Sequence, residues 1–199
     1  MKEDLKEPAS LNDRIAQRVR DLRAARELSL DALATHCGVS RSMISLIERG
    51  ESSPTAVVLE KLATGLGVPL ASLFEEPVAE PGPVSRLADQ LLWRDPHSGY
   101  VRRNVSPGSA ASPIQIVEVQ FPPKARVAYE TGAREPKVHQ QVWVLEGRIE
   151  VTVGDDRHLL DAGDCLALTL DRPMSYHNPT RKTARYAVVI TTSTASSWR

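Results

Sequence analysis

The chain has little to tie it together covalently and little to drive it into a membrane. Only two cysteines occur in 199 residues, Cys37 and Cys165, and their separation makes neither a disulfide framework nor a zinc-ligand spacing. Cys37 falls on the apolar side of a helical pattern, which predicts a small core residue. Aromatic residues make up 5% of the chain, a sparse supply of large anchors. No hydrophobic run approaches the ~20 residues of a membrane-spanning helix, and the opening MKEDLKEPAS is too acidic and polar for a signal peptide. The chain is therefore expected to be soluble and cytoplasmic, with no membrane partner. Net charge is missing too, with 25 Lys plus Arg against 25 Asp plus Glu. Neutrality argues against broad polyanion binding, whereas a sequence-specific site needs only a local patch. Even between Ser10 and Gly50, seven Arg stand against five acids, a net of +2. The length leaves room for two small domains, each able to bury a core.

What is present is an ordered set of helix boundaries. Ser10-Leu-Asn-Asp13 starts a helix in which Leu11, Ile15, Val19 and Leu22 recur at helical spacing to about Arg26. Ser29 is an N-cap for a second helix with Leu30, Leu33, Ala34 and Cys37 on one side. Gly38 gives the backbone freedom of a turn, and Ser40 caps a third helix. That helix is expected to bury Met43, Ile44 and Ile47, to leave Arg41, Ser42, Ser45 and Arg49 outside, and to stop at Gly50. A face of Ser and Arg side chains suits phosphate oxygens and base edges. Thr55 caps a fourth helix bearing Val58, Leu59, Leu62, Ala63 and Leu66, closed by Gly65 or Gly67. Pro69 starts a fifth, short turn of helix, LASLF.

The turn around Gly38, with Ser40 after it and Glu-Arg-Gly at 48–50, resembles the helix-turn-helix of the lambda-repressor-like (xenobiotic-response-element) family. The likeness runs through IERGESSPT and LEKLATGLGVPLASLF to about Phe74. It implies a five-helix, all-α DNA-binding domain whose third helix enters the major groove. It also implies that Arg23 of the first helix pairs with Glu48 as a structural ion pair. The DNA-binding residues expected are Ser29, Ser40, Arg41, Ser42, Ser45, Leu46, Arg49 and Thr55. Arg41, Ser42 and Ser45 would meet base or groove edges, and Leu46 a thymine methyl. Ser29, Ser40, Arg49 and Thr55 stand at helix ends that face phosphate.

Glu75 to Val84 is acidic, Pro-rich and without apolar period, which reads as a semi-rigid linker. Beyond it the texture becomes Val- and Ile-rich with alternation. Strands are expected at Leu91–Arg94, Tyr100–Ser106, Ile114–Phe121, Val142–Leu145, Ile149–Val153, Cys165–Leu168 and Tyr186–Thr191, a barrel or sandwich. VWVLEGRIEVTVG, LLDAGDCLAL and RPMSYHNP resemble the core of a cupin, a double-stranded β-helix barrel, over about Ala125 to Ile190. Metal-binding cupins carry paired His, a Glu and a third His. Aligned on Gly147, their Glu position falls on Gln140, the upstream pair falls near Glu130 and Gly132, and Met174 stands where the last His would. Strand alternation aims His139 and His177 away from those positions. No metal and no cofactor is therefore expected. The barrel mouth is expected to be lined by Tyr129, Glu130, Gln140, Met174, Tyr176 and Asn178, suited to an uncharged or zwitterionic small molecule.

The organisation expected is a disordered arm at 1–9, a DNA-binding domain at 10–76, a linker at 77–84 and a cupin domain at 85–199. The function expected is a non-enzymatic transcriptional regulator that binds a palindromic duplex DNA operator as a homodimer and senses a small-molecule effector. Two alternatives stand beside it. One is a cupin isomerase or oxygenase with a DNA-binding appendage, and the other a regulator whose barrel only dimerises.

Overall fold

The computed structural model describes residues 11–74, 82–107, 113–130 and 137–193. The arm at 1–9 and most of the linker lie outside those residues. Among the described residues four α-helices come first: α1 (Leu11–Ala24), α2 (Leu30–Cys37), α3 (Arg41–Glu48) and α4 (Ala56–Gly65). Three of them begin on side-chain caps. Ser29 accepts from the Ala32 N–H, Ser40 from the Met43 N–H and Thr55 from the Val58 N–H, each satisfying an amide that the first turn leaves open. Gly38, at φ 64, closes α2 in the left-handed conformation. At Gly65 a Cβ would stand 2.6 Å from Cys37 Cβ, so its lack of a side chain lets α4 touch α2. None of the described helices is long and apolar enough to cross a membrane.

Two expectations for this half fail. The fifth helix is instead a 3-10 turn, Leu70–Phe74; five residues after Pro69 are too few to repay α-helix nucleation. Met43 is 37% exposed, while Ile44 and Ile47 are fully buried. Position 43 lies a quarter-turn off the buried stripe, and its sulfur accepts from the Ser52 hydroxyl.

The second half is antiparallel β-structure in two sheets. Among the described residues the strands are β1 (Leu92–Arg94), β2 (Val101–Asn104), β3 (Ile114–Phe121), β4 (Arg126–Tyr129), β5 (Lys137–Glu146), β6 (Arg148–Val153), β7 (Asp156–Asp161), β8 (Cys165–Thr169), β9 (Met174–His177) and β10 (Ala184–Ser193). One sheet runs β1-β2-β3-β10-β5-β8 and the other β4-β9-β6-β7. Strands β4, β7 and β9 were not expected as separate strands. They are short, and polar side chains interrupt their apolar alternation, so only pairing within the sheet reveals them. The sheets face one another across a core in which Tyr176 of β9 stacks on Tyr186 of β10, with ring centroids 5.7 Å apart. Between β5 and β6 the chain changes sheet at Gly147, whose φ of 77 belongs to the left-handed region.

The helices do not stand apart from the sheets. Phe74 packs edge-on to Trp93 of β1, and Trp93 edge-on to Tyr100. The buried residues of both halves form one cluster. Asp95, 2% exposed, follows β1 and accepts the Ala56 N–H at 2.9 Å, capping α4 from the β side.

Candidate functional sites

Helix α3 presents Arg41, Ser42 and Arg49 to solvent, with Ser45 and Leu46 half-buried between them. The arginines are held in place by local carboxylates. Arg41 lies 3.3 Å from Asp31 at the start of α2. Arg49 grips both oxygens of Glu51, at 2.7 and 2.9 Å, and donates to Ser45 Oγ at 2.5 Å. That guanidinium holds the Glu51 carboxyl below its ordinary range. Ser40 and Ser42 hydroxyls meet at 3.2 Å beside the α3 N-terminus, and Ser29 lies exposed at the start of α2. These seven side chains therefore occupy one end of the helix pair or the exposed face of α3. Thr55 caps α4 as Ser29 and Ser40 cap their helices, but a carboxylate stands beside it. It is committed to capping Val58, and the next amide already binds Asp95; a phosphate there would meet a like charge.

Behind this surface, Arg23 Nε donates to Glu48 Oε1 at 2.7 Å and Nη2 to Oε2 at 2.8 Å, a bidentate fork. Arg23 Nη1 also donates to the Leu28 carbonyl, and Arg20 to the carbonyl of Glu48. Glu48 is 6% exposed, so the fork ties α1 to the end of α3.

The second site is a cavity of about 60 Å³ between the sheets. Its walls include Tyr100, Tyr129, Tyr176 and Tyr186, which are all four tyrosines of the chain. Tyr100 and Tyr129 hydroxyls meet at 3.4 Å, and Tyr176 donates to Gln140 Oε1 at 3.3 Å. Burial pushes the Tyr100 phenol up to about 12 and raises the other three as well. These phenols remain protonated donors at neutral pH. Arg102 of β2 also lines the cavity, 6% exposed, with its guanidinium carbon 4.9 Å from the Phe74 ring centroid. One wall comes from the helical half: Glu60 of α4, Pro69 and Leu70.

Of the expected pocket residues, Tyr129, Gln140, Met174 and Tyr176 line the cavity, and Glu130 and Asn178 do not. Glu130 is an exposed carboxylate 3.1 Å from Lys61 of α4, and thus sits on the rim between the halves. Asn178 is fully buried and structural. Its amide donates to the Phe121 and Lys182 carbonyls, and its oxygen accepts from Thr180. His139 meets Thr169 on the outer face of the six-stranded sheet, and His177 faces Glu150 on the outside of the four-stranded one. Among the described residues, no three His, Cys, Asp or Glu side chains group as a metal site would need. Arg102 and Glu60 were not foreseen. Two-residue alternation from Tyr100 offered a signal for Arg102, but nothing local marks Glu60, whose environment arises when the halves pack.

Comparison with known proteins matches a helix-turn-helix domain to residues 14–74 and a cupin domain to residues 119–190. The chain is 28% identical over 178 residues to the HTH-type transcriptional regulator SutR of Escherichia coli strain K12, covering 86% of this chain and 91% of that protein. It is also 28% identical over 164 residues to the HTH-type transcriptional regulator PuuR of the same strain, covering 81% and 86%. Among solved structures, an HTH_3 family transcriptional regulator from Vibrio cholerae superposes with a TM-score of 0.73 at 28% identity, covering 91% of this chain and 96% of the other.

Proposed function

Because this chain belongs to the helix-turn-helix transcriptional regulators with a C-terminal cupin domain, we propose that it is an effector-responsive, homodimeric regulator of a palindromic operator. In this reading residues 10–76 read DNA, 77–84 link, and 85–199 close as a double-stranded β-helix barrel that senses a small molecule. It acts in the cytoplasm, by binding rather than by turnover. Arg41, Ser42, Ser45 and Leu46 meet the groove, and Ser29, Ser40 and Arg49 meet the backbone. The observation that carries the effector role is the shared cavity. Glu60, Pro69 and Leu70 of the DNA-binding half close a space whose other walls are Gln140, Met174 and Tyr176. A molecule bound there touches both domains, so its affinity depends on how they pack, which is the condition for shifting an equilibrium between two arrangements.

The outer face of the six-stranded sheet supports the dimer. Trp143 is 50% exposed, and Ile114 and Ile116 stand 48% and 38% exposed two strands away on the same face. Exposed Trp and Ile side chains on one sheet face are the composition of a protein interface. The test is selection of bound sequences from random duplex DNA, followed by binding and light-scattering measurements on Trp143→Glu. The reading expects an inverted repeat with half-sites about 34 Å apart, and a monomeric variant that binds it more weakly. A single asymmetric site bound equally well by both proteins contradicts it.

A further inference from the structure

The cavity holds a pair of open charged donors. Arg102 lies on β2 opposite Val119, on the inner side of its sheet. Its Nε and Nη2 are buried, and neither finds an acceptor among the described residues. These two N–H groups form one edge of the guanidinium. Three other arginines show what this edge binds: Arg23 to Glu48, Arg49 to Glu51 and Arg148 to Asp161, each through Nε to one carboxylate oxygen and Nη2 to the other. Arg102 presents the same edge inside a cavity instead of to a side chain.

The surroundings narrow what can fill it. Guanidinium stays charged in proteins, and a buried cation with open donors favours an anion that accepts both. Phe74 covers one side of the guanidinium. The phenols of Tyr100 and Tyr129 lie in the same cavity as further donors. Val119, Val188 and Ile190 add an apolar stretch of wall, beside the amide of Gln140 and the rings of Tyr176 and Tyr186. Glu60 of the opposing domain lines the same cavity and acts on the Arg102 charge from there, so a ligand with more than one anionic group is disfavoured. The volume of about 60 Å³ holds roughly four or five water-sized groups.

Resting on the effector reading above, we propose that Arg102 anchors the effector and that the effector is a compact monocarboxylate with a short, largely apolar remainder. The carboxylate lies side-on across Nε and Nη2, with the tail among Val119, Val188 and Ile190. Since Phe74 and Glu60 come from the DNA-binding half, the same carboxylate sits against that half as well as against the sheets.

The test is thermal shift on the full chain with sodium acetate, propionate and butyrate, beside acetamide, propionamide, butyramide and n-propylamine, at matched ionic strength. The expected result is a saturable rise with propionate or butyrate, none with the amides or the amine, and none with any probe in Arg102→Met. Arg102→Lys keeps the charge without the fork and is expected to weaken saturation at least about tenfold; it also serves if Arg102→Met does not fold. A carboxylate shift that persists unchanged in both variants overturns the anchor. If an amide or the amine shifts the wild type and Met174→Trp abolishes that shift, the carboxylate assignment falls while the cavity remains an effector site. If no probe shifts the wild type, the anchor and the sensing role of the cavity fall together.

Discussion

Arg23 and Arg102 are both withdrawn from water at the edge of a domain, yet they end in opposite states. Arg23 closes a bidentate fork on Glu48 and adds a bond to the Leu28 carbonyl, which completes the helical half from within. Arg102 points the same edge of its guanidinium into a cavity, and burial lowers its proton affinity. A buried charge with its partner is a structural element, whereas one without it disfavours the empty state and favours whatever supplies the partner. The Arg23 fork is thus complete within the chain, whereas the Arg102 edge stays open among the described residues and is closed, in the proposal above, by a ligand.

The largest effect expected from this contrast lies at Glu48. Glu48→Ala leaves the Arg23 guanidinium with the Leu28 carbonyl but without its carboxylate, and the cost is put at about 2–3 kcal/mol, below the ~3–5 of a fully buried pair because Arg23 keeps 19% of its side chain in solvent. Denaturant unfolding checks it. Arg102→Met, with no carboxylate added, removes a charge that has no carboxylate fork to strand, and its loss should be the smaller of the two. The reverse order breaks the comparison.

Next comes the reading surface itself. Arg41→Ala should weaken operator binding by about 1–3 kcal/mol if the guanidinium reads guanine. Fluorescence anisotropy with operator and scrambled duplexes decides this, since equal losses on both mean a phosphate contact.

A subtler division should appear at alkaline pH. The helical half from Leu11 to Phe74 contains no tyrosine, whereas all four line the cavity. A phenol whose proton is held more tightly when folded stabilises the fold below its unfolded value near 10, and that contribution is lost as pH rises through about 12. Melting temperature should therefore fall across this window, and Tyr100→Phe should blunt the fall. An unchanged pH profile in that variant removes Tyr100 from the account. The smallest effect is expected at Glu51→Ala, where an exposed pair with Arg49 is lost; melting should not change measurably.

The two regions also differ in how far they could be read from sequence. The reading half is specified locally. The caps Ser29, Ser40 and Thr55 each lie three residues from the amide they satisfy, and the Arg23 and Glu48 positions come from a pattern with fixed spacing. The limit of local reading shows at Met43 and at Leu70–Phe74, where a stripe edge and a five-residue helix were over-assigned. The cavity depends on contacts distant in sequence. Tyr129, Gln140, Met174 and Tyr176 follow from aligned turns, but Glu130 and Asn178 were misassigned because registers alone do not say which loop carbonyls a buried amide will meet. Glu60 has meaning only once α4 lies against the β domain, and Asp95 likewise becomes a helix cap only across that contact.

The central claim is that the cavity and the DNA-binding surface are energetically linked through this contact. Operator affinity of Met174→Trp against wild type tests it most directly, because the substitution fills the cavity without touching α3. Dimer mass should stay equal in the two proteins while operator affinity differs, and carboxylate should alter the affinity of the wild type alone. Identical affinity for operator in both proteins, with and without carboxylate, would contradict the linkage and leave the β domain as a dimerisation module.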